Sequence, residues 1–458
     1  MAILDKNFIK EELEKANSIY DFIVIIFYFL SKSETNAYIK NYYKMMKNKD
    51  FKKLIQKLSA LFYNFFMIND GGTDAFFDFK QMWLDLYDEN NLETYCFATL
   101  INFDQNYHCN KNLSNETITI QGPLNNSLSD KVLFFNNAPD GYFSEYFRKN
   151  GIWEGKSKIS FNPSSLNSNF SKFHIVETTY IGHYKPKVKK YNQKIELDNN
   201  CIAIIPCENN NVSLIFDKET RTISAEYKSE YFDKHLNYIL NTLKILDEDG
   251  SKIVIFPELF LFPNSVNILR KKLCEKNFKN IKLVMTGSAW SNRTNCAYIL
   301  SSSGKLLLSH KKKIAYEEYK KADGINYIED IEIDNSFEFL DIEGIGRISY
   351  VICKDFLSSG NNCFCQGIMK SNIIFVSSYT HKTNLMDTTS QANATQYGIA
   401  TVLCNCCTAT KSNDPESLLG FMIFPKAENK KLHCHRVPLQ KQDEKCDECG
   451  NCYPSEFI

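Results

Sequence analysis

Gly346-Arg-Ile-Ser-Tyr-Val-Ile-Cys353-Lys-Asp355 is the stretch whose reading decides the fold. After the glycine, Ile348, Tyr350, Val351 and Ile352 make a short, nearly continuous apolar run of strand length. It ends in a cysteine that opens a turn, which is where a fold can present a nucleophile. A buried cysteine taken alone is more often a small hydrophobe. Two further strand ends change the balance. Val254-Ile-Phe-Pro-Glu258 puts a carboxylate directly after a buried strand, where charge is costly. Its pKa should rise, which suits a general base. Gly304-Lys-Leu-Leu-Leu-Ser-His310-Lys-Lys312-Lys ends a third strand in a lysine triplet. Alternate side chains on a strand face opposite ways, so Lys311 and Lys313 point away from Lys312. Glu258, Lys312 and Cys353 thus follow one another in the chain, each at its own strand end.

Outward from these residues the pattern alternates. Cys201-Ile-Ala-Ile-Ile, Lys252-Ile-Val-Ile-Phe, Ile281 to Thr286, Cys296 to Leu300 and Asn372 to Val376 all read as buried strands. Between the first two, Phe232, Leu236, Ile239, Leu240, Leu243 and Leu246 define one helix face, and Asp249-Gly250 ends it. Strands alternating with helices predict an α/β layered fold.

The three strand-end motifs together resemble those of the nitrilase superfamily of carbon–nitrogen hydrolases. Val254 to Glu258 matches its V-x-F-P-E pattern. Gly304, His310 and Lys312 match G-x5-Y-x-K, with His310 in place of the aromatic. Gly346, Ile348, Ile352, Cys353 and Asp355 match G-x-I-x-x-x-I-C-x-D. Val284 to Ala297, Gln391-Ala-Asn393-Ala and Gly420 to Pro425 resemble further segments of the family. Two departures bear on substrate class. Lys354 stands where an aromatic residue usually follows the nucleophile, and Gln391-Ala-Asn393 lacks the usual arginine.

The resemblance implies an α-β-β-α sandwich over residues 200–435, dimerising through an outer helical layer. It implies a Glu258–Lys312–Cys353 triad that forms a thioester, with the backbone N–H of Lys354 helping Lys312 to hold the oxyanion. It implies that Lys312 lowers the thiol's pKa, and that a second glutamate follows the lysine; Glu318 is the candidate, with Glu317 close behind. The implied substrate is a small amide or nitrile, and no cofactor is needed for catalysis. Two alternatives stay open: an N-acyltransferase of the same fold, and a nitrilase-like sensor or scaffold, as in bacterial antiviral defence proteins.

Residues 1–170 are expected to form a mainly helical module, with apolar residues at helical spacing in Ile9 to Ile19, Phe22 to Leu30, Tyr38 to Met46, Phe51 to Phe66 and Phe76 to Leu86. Short strands are expected at Thr117 to Ile120 and Lys131 to Phe135. Such a module would suit a protein partner. The polar stretch 171–199 reads as a linker. Apolar residues at 43% can fill a large core, so global disorder is excluded. With 54 basic and 54 acidic residues, net charge favours neither nucleic acid nor an anionic membrane. The run from Phe22 to Leu30 is far short of the roughly 20 residues that span a bilayer.

The opening residues carry Lys6, Glu11, Glu12 and Glu14 rather than a secretory pattern, so a cytoplasmic location with reduced thiols is expected. The tail, residues 436–458, contains Cys446-Asp-Glu-Cys449-Gly-Asn-Cys452. Together with His433, Cys434 or His435, of which Cys434 is preferred, these cysteines are expected to hold one structural zinc ion.

Overall fold

The apolar run Phe22 to Leu30 lies within a helix whose Phe22, Ile23, Val24 and Ile26 are fully buried. The computed structural model describes residues 6–32, 48–65, 73–86, 92–106, 118–121, 131–136, 173–177, 184–197, 201–207, 211–358, 360–361, 365, 369, 371–406, 418–425 and 433–438. Those up to Glu177 form one compact unit and those from Tyr184 onward a second.

In the first unit, helices α1 (Lys6–Lys15), α2 (Ile19–Lys32), α3 (Lys49–Tyr63), α4 (Thr73–Asp85) and α5 (Leu92–Asn106) share one apolar core. The sequence predicts Ile9 to Ile19 as one helix. The chain instead breaks before Ser18, whose hydroxyl accepts from the Asp21 N–H at 3.1 Å. Strands β1 (Ile118–Gln121), β2 (Lys131–Asn136) and β3 (Phe173–Glu177) form an antiparallel sheet in the order β1-β2-β3. The expected helix at Tyr38 to Met46 lies outside the described residues.

The second unit begins with β4 (Lys185–Tyr191), so the stretch expected as a linker contains two strands, β3 and β4. Lys185-Pro-Lys-Val-Lys-Lys-Tyr reads as polar because it is an edge strand, with lysines on its free side and Tyr191 buried. It pairs in parallel with β14 (Ser336–Ile342), so the sandwich expected over residues 200–435 starts before residue 200. The remaining strands are β5 (Ile202–Ile204), β6 (Val212–Asp217), β7 (Thr222–Tyr227), β8 (Ile253–Ile255), β9 (Leu283–Ser291), β10 (Thr294–Ser301), β11 (Leu306–Lys311), β12 (Glu317–Lys320), β13 (Ile325–Glu329), β15 (Gly346–Ile352), β16 (Ile373–Ser378), β17 (Ala400–Asn405), β18 (Leu418–Phe424) and β19 (His433–Pro438). The helices are α6 (Phe232–Glu248), α7 (Ser265–Cys274), α8 (Lys354–Leu357) and α9 (Thr383–Tyr397).

Two sheets carry the unit, in the orders β11-β10-β9-β8-β5 and β19-β18-β17-β16-β15-β14-β4. They face each other, with β11 packed on β4, β14 and β15, and β5 on β17. Leu236, Ile239 and Leu243 of α6, with Leu269 and Leu273 of α7, cover the outer face of the first sheet. Helix α9 packs on β17 and β18 of the second. The layers therefore run α-β-β-α. In β15, β16 and β17 every residue is buried, as expected for parallel strands covered on both faces. A smaller sheet, β12-β13-β7-β6, has no counterpart in the sequence reading. Its edge strand β12 lies in the stretch Tyr316-Glu-Glu-Tyr-Lys-Lys321.

Arg347 is fully buried at the start of β15. Its Nε and Nη2 each donate to Asp341 at 2.7 Å, and Nη1 donates to the Met369 carbonyl at 2.9 Å. This fork ties β15, which leads into Cys353, to β14. Arg347→Met should lower unfolding free energy by about 3–5 kcal/mol, because Asp341 loses its only charge partner among the described residues. Urea titration followed by fluorescence measures it. A loss under about 1 kcal/mol would mean that water or another cation rescues Asp341.

Candidate active site

Glu258 is buried just past β8, and its backbone N–H donates to the Ser378 carbonyl at 3.3 Å. The turn is tight. Leu259 follows at φ 58°, and its N–H donates to the Ser288 hydroxyl at 3.0 Å. Gly287 on β9 passes so close that a Cβ there would lie 2.1 Å from the Pro257 carbonyl oxygen. No other residue fits, and this contact fixes where Glu258 emerges.

Lys312 follows β11, and its N–H donates to the Asn295 carbonyl at 2.8 Å. Its buried Nζ meets Glu258 Oε1 at 2.8 Å and Glu329 Oε2 at 2.8 Å. Lys311 and Lys313 both turn to Asp334 instead, as strand alternation requires. Asn295 Nδ2 donates to Glu258 Oε1 at 2.9 Å and to Glu329 Oε1 at 3.4 Å. The second Glu258 oxygen accepts from the Tyr379 N–H at 3.0 Å.

Cys353 follows directly on β15 with φ 44° and ψ −108°, a backbone conformation that residues with a Cβ rarely adopt. Its N–H donates to the Ser377 carbonyl at 2.9 Å, and the Ser378 hydroxyl donates to Sγ at 3.5 Å. Glu258 lines the same cavity, close enough for its charge to bear on the thiol. Two residues on, buried Asp355 accepts from the Lys313 N–H at 2.9 Å and the Ile314 N–H at 2.7 Å, and meets His310 Nε2 at 2.8 Å. The cysteine turn and the lysine loop are thereby clamped together. Lys354 reaches outward, its Nζ donating to the Ala315 carbonyl at 2.8 Å.

Burial pushes the Glu258 carboxyl up and Glu329 adds to this, against the pull of Lys312. For Lys312 burial opposes the charge, but Glu258 and Glu329 more than offset it and hold the ammonium protonated. Burial, then the Glu258 charge, pushes the Cys353 thiol up to about 12. Lys312 acts in the expected direction, lowering the thiol, but burial and Glu258 outweigh it. The resting sulfur is a thiol that needs a base.

Glu258, Lys312 and Cys353, with Glu318 and Glu329, line one cavity of about 210 Å³. Glu318 does not contact Lys312; its nearest partner is the Tyr316 hydroxyl at 3.5 Å. The carboxylate that meets Lys312 is Glu329, which the sequence reading missed. Its signal was the alternation in β13, where Tyr327 and Glu329 are both buried. A carboxylate on a strand's buried face requires a partner. Gln391 turns to Asp387 on its own helix. Among the described residues no group of three or more His, Cys, Asp or Glu could hold a metal ion. The side chain of Cys434, and Cys446, Cys449 and Cys452 entirely, lie outside the described residues. No described helix is long and apolar enough to cross a membrane.

No family model matches the chain, and no curated protein does. Similar solved structures include a mutant amidase from Nesterenkonia sp. AN1, showing covalent addition of the acetamide moiety of fluoroacetamide at its active-site cysteine. It has 17% identity and a TM-score of 0.34, over 45% of this chain and 84% of that one. Nit3 of Saccharomyces cerevisiae, a nitrilase-superfamily member, has 13% identity and a TM-score of 0.32, over 52% and 90%. Glutamine-dependent NAD+ synthetase from Acinetobacter baumannii has 13% identity and a TM-score of 0.35, over 52% and 43%.

A thiol held at about 12 has a definite signature. Alkylation of Cys353 by iodoacetamide, followed by peptide mass spectrometry, should climb about tenfold per pH unit from pH 7 to 9.5 without levelling. A plateau below pH 9 would mean that Lys312 outweighs burial after all.

Proposed function

We propose that the unit from Tyr184 onward hydrolyses a non-peptide carbon–nitrogen bond, in a small amide or nitrile, through a thioester on Cys353. One observation carries this reading: Glu258, Lys312 and Cys353 converge on a single cavity, with Lys312 held between two buried carboxylates. A volume of about 210 Å³ suits a small molecule rather than a peptide segment. Open space in front of Cys353 supports an enzyme over a scaffold, whose pocket would be filled.

The reaction follows from the geometry. Glu258 takes the thiol proton as Sγ attacks the carbonyl carbon. The carbonyl oxygen gains negative charge and is held by Lys312 Nζ and the Lys354 N–H, each such donor contributing about 3 kcal/mol. The C–N bond breaks, the nitrogen takes the proton from Glu258, and ammonia leaves a thioester. Glu258 then deprotonates water, which attacks the same carbon. The C–S bond breaks, the acid departs and the thiol is reprotonated. Glu329 keeps Lys312 charged and aimed throughout.

Two further elements belong to this proposal. The unit pairs with a second copy through an outer helical layer, and the tail holds one structural zinc through Cys446, Cys449, Cys452 and Cys434. Metal analysis after purification without a metal-affinity tag should find about one zinc per chain, lost in Cys449→Ser. A content near zero in both forms makes the cysteines an ordinary reduced tail.

Ammonia release across a panel of short amides and nitriles tests the reaction. Cys353→Ala should abolish it, by about 10⁴-fold or more, with the unfolding midpoint retained. Lys312→Met should cost about 10²–10³-fold. Release that survives Cys353→Ala, or a panel giving neither ammonia nor a Cys353 adduct by mass spectrometry, sinks the reading.

A further inference from the structure

The cavity is unbalanced in charge. Glu258, Glu329 and Glu318 line it against one lysine, Lys312, whose ammonium is already engaged by the first two. His381 also lines the cavity, so its acidic side chains outnumber its basic ones three to two. Glu318 is the carboxylate left over. It lies on edge strand β12, where Glu317 on the opposite face is exposed and reaches Lys354 at 3.4 Å. Glu318 itself is half-buried, with the Tyr316 hydroxyl at 3.5 Å and no basic side chain of the described residues paired with it. Tyr316 lies within the fields of both Glu318 and Cys353, which help burial to push its hydroxyl up to about 12. Glu318 therefore stands near the reacting sulfur without belonging to the group that activates it.

We propose that the substrate's far end carries a protonated amine, and that Glu318 is the specificity-determining residue that receives it. This rests on the amide reading above. A neutral substrate would strip water from Glu318 and return nothing, and an anionic one would add a like charge to the cavity. An ammonium on a short apolar spacer meets both walls: Leu214, Ile223 and Leu259 for the methylenes, and Glu318 for the charge. Trp290 and Tyr379 also line the cavity, and aromatic rings favour a desolvated cation. Selectivity then comes from a half-buried charge that only one substrate class satisfies.

The experiment uses the full chain with Cys353→Ala, titrated calorimetrically with 4-aminobutanamide, 5-aminopentanamide and 6-aminohexanamide. Alkyl amides and ω-carboxylate amides of the same lengths are the comparison. The best ω-amino amide should bind about tenfold or more tighter than its alkyl counterpart, and the ω-carboxylate amide weakest. Adding Glu318→Gln should bring the amino-to-alkyl ratio within about twofold, while Glu318→Asp keeps part of it. Equal binding of amino and alkyl amides, a preference untouched by Glu318→Gln, or no binding at all overturns the proposal. Its fate separates from that of the reaction. Wild-type ammonia release from alkyl amides without an amino preference leaves the hydrolase standing and removes the cation site. Glu318-dependent binding without Cys353-dependent release does the reverse.

Discussion

One ammonium holds the site together. Lys312 Nζ lies 2.8 Å from an oxygen of each of two buried glutamates, Glu258 and Glu329. Two buried carboxylates without it would repel each other and would have to take up protons. With it, the trio carries a single excess negative charge, so Glu258 can act as a base close to a neutral thiol. Burial, and then the Glu258 charge, raises the Cys353 pKa and keeps the sulfur protonated at rest.

That arrangement needs three backbones set within ångströms of each other, and the fold does this with close contacts rather than flexible loops. Gly287 lets β9 pass against the Pro257 carbonyl, and Asp355 clamps the loop after β11 to the cysteine turn. Arg347 fixes β15 to β14 from inside the layer. Glu329 arrives from the smaller sheet, so the electrostatics of the sandwich depend on an element outside its two main layers.

The legible parts of the sequence were those where chemistry and burial share a short stretch. Glu258, Lys312 and Cys353 each follow an apolar run of strand length, and glycines mark the backbone approaches beside them. Asn295 was visible only as part of an Asn-x-Ala strand, because nothing local says that its amide bridges two distant carboxylates. Glu329 was missed since β12 and β13 are short, mixed in polarity and paired across a turn, leaving a weak period. β4 was hidden for the opposite reason: an edge strand needs only one buried face, and its lysines masked the alternation. The direction of the Cys353 shift was not readable because burial and charge oppose each other there. Only the actual depth of the sulfur decides between them.

Cys353 occupies a backbone geometry that costs residues with a Cβ on the order of 1–3 kcal/mol. Glycine alone would adopt it freely. A library screened for thermal resistance with no view of turnover would therefore drift toward glycine at this position and erase the sulfur. Under the proposed reaction, stability and chemistry pull in opposite directions at this one residue, so laboratory evolution of the chain would have to select for both at once.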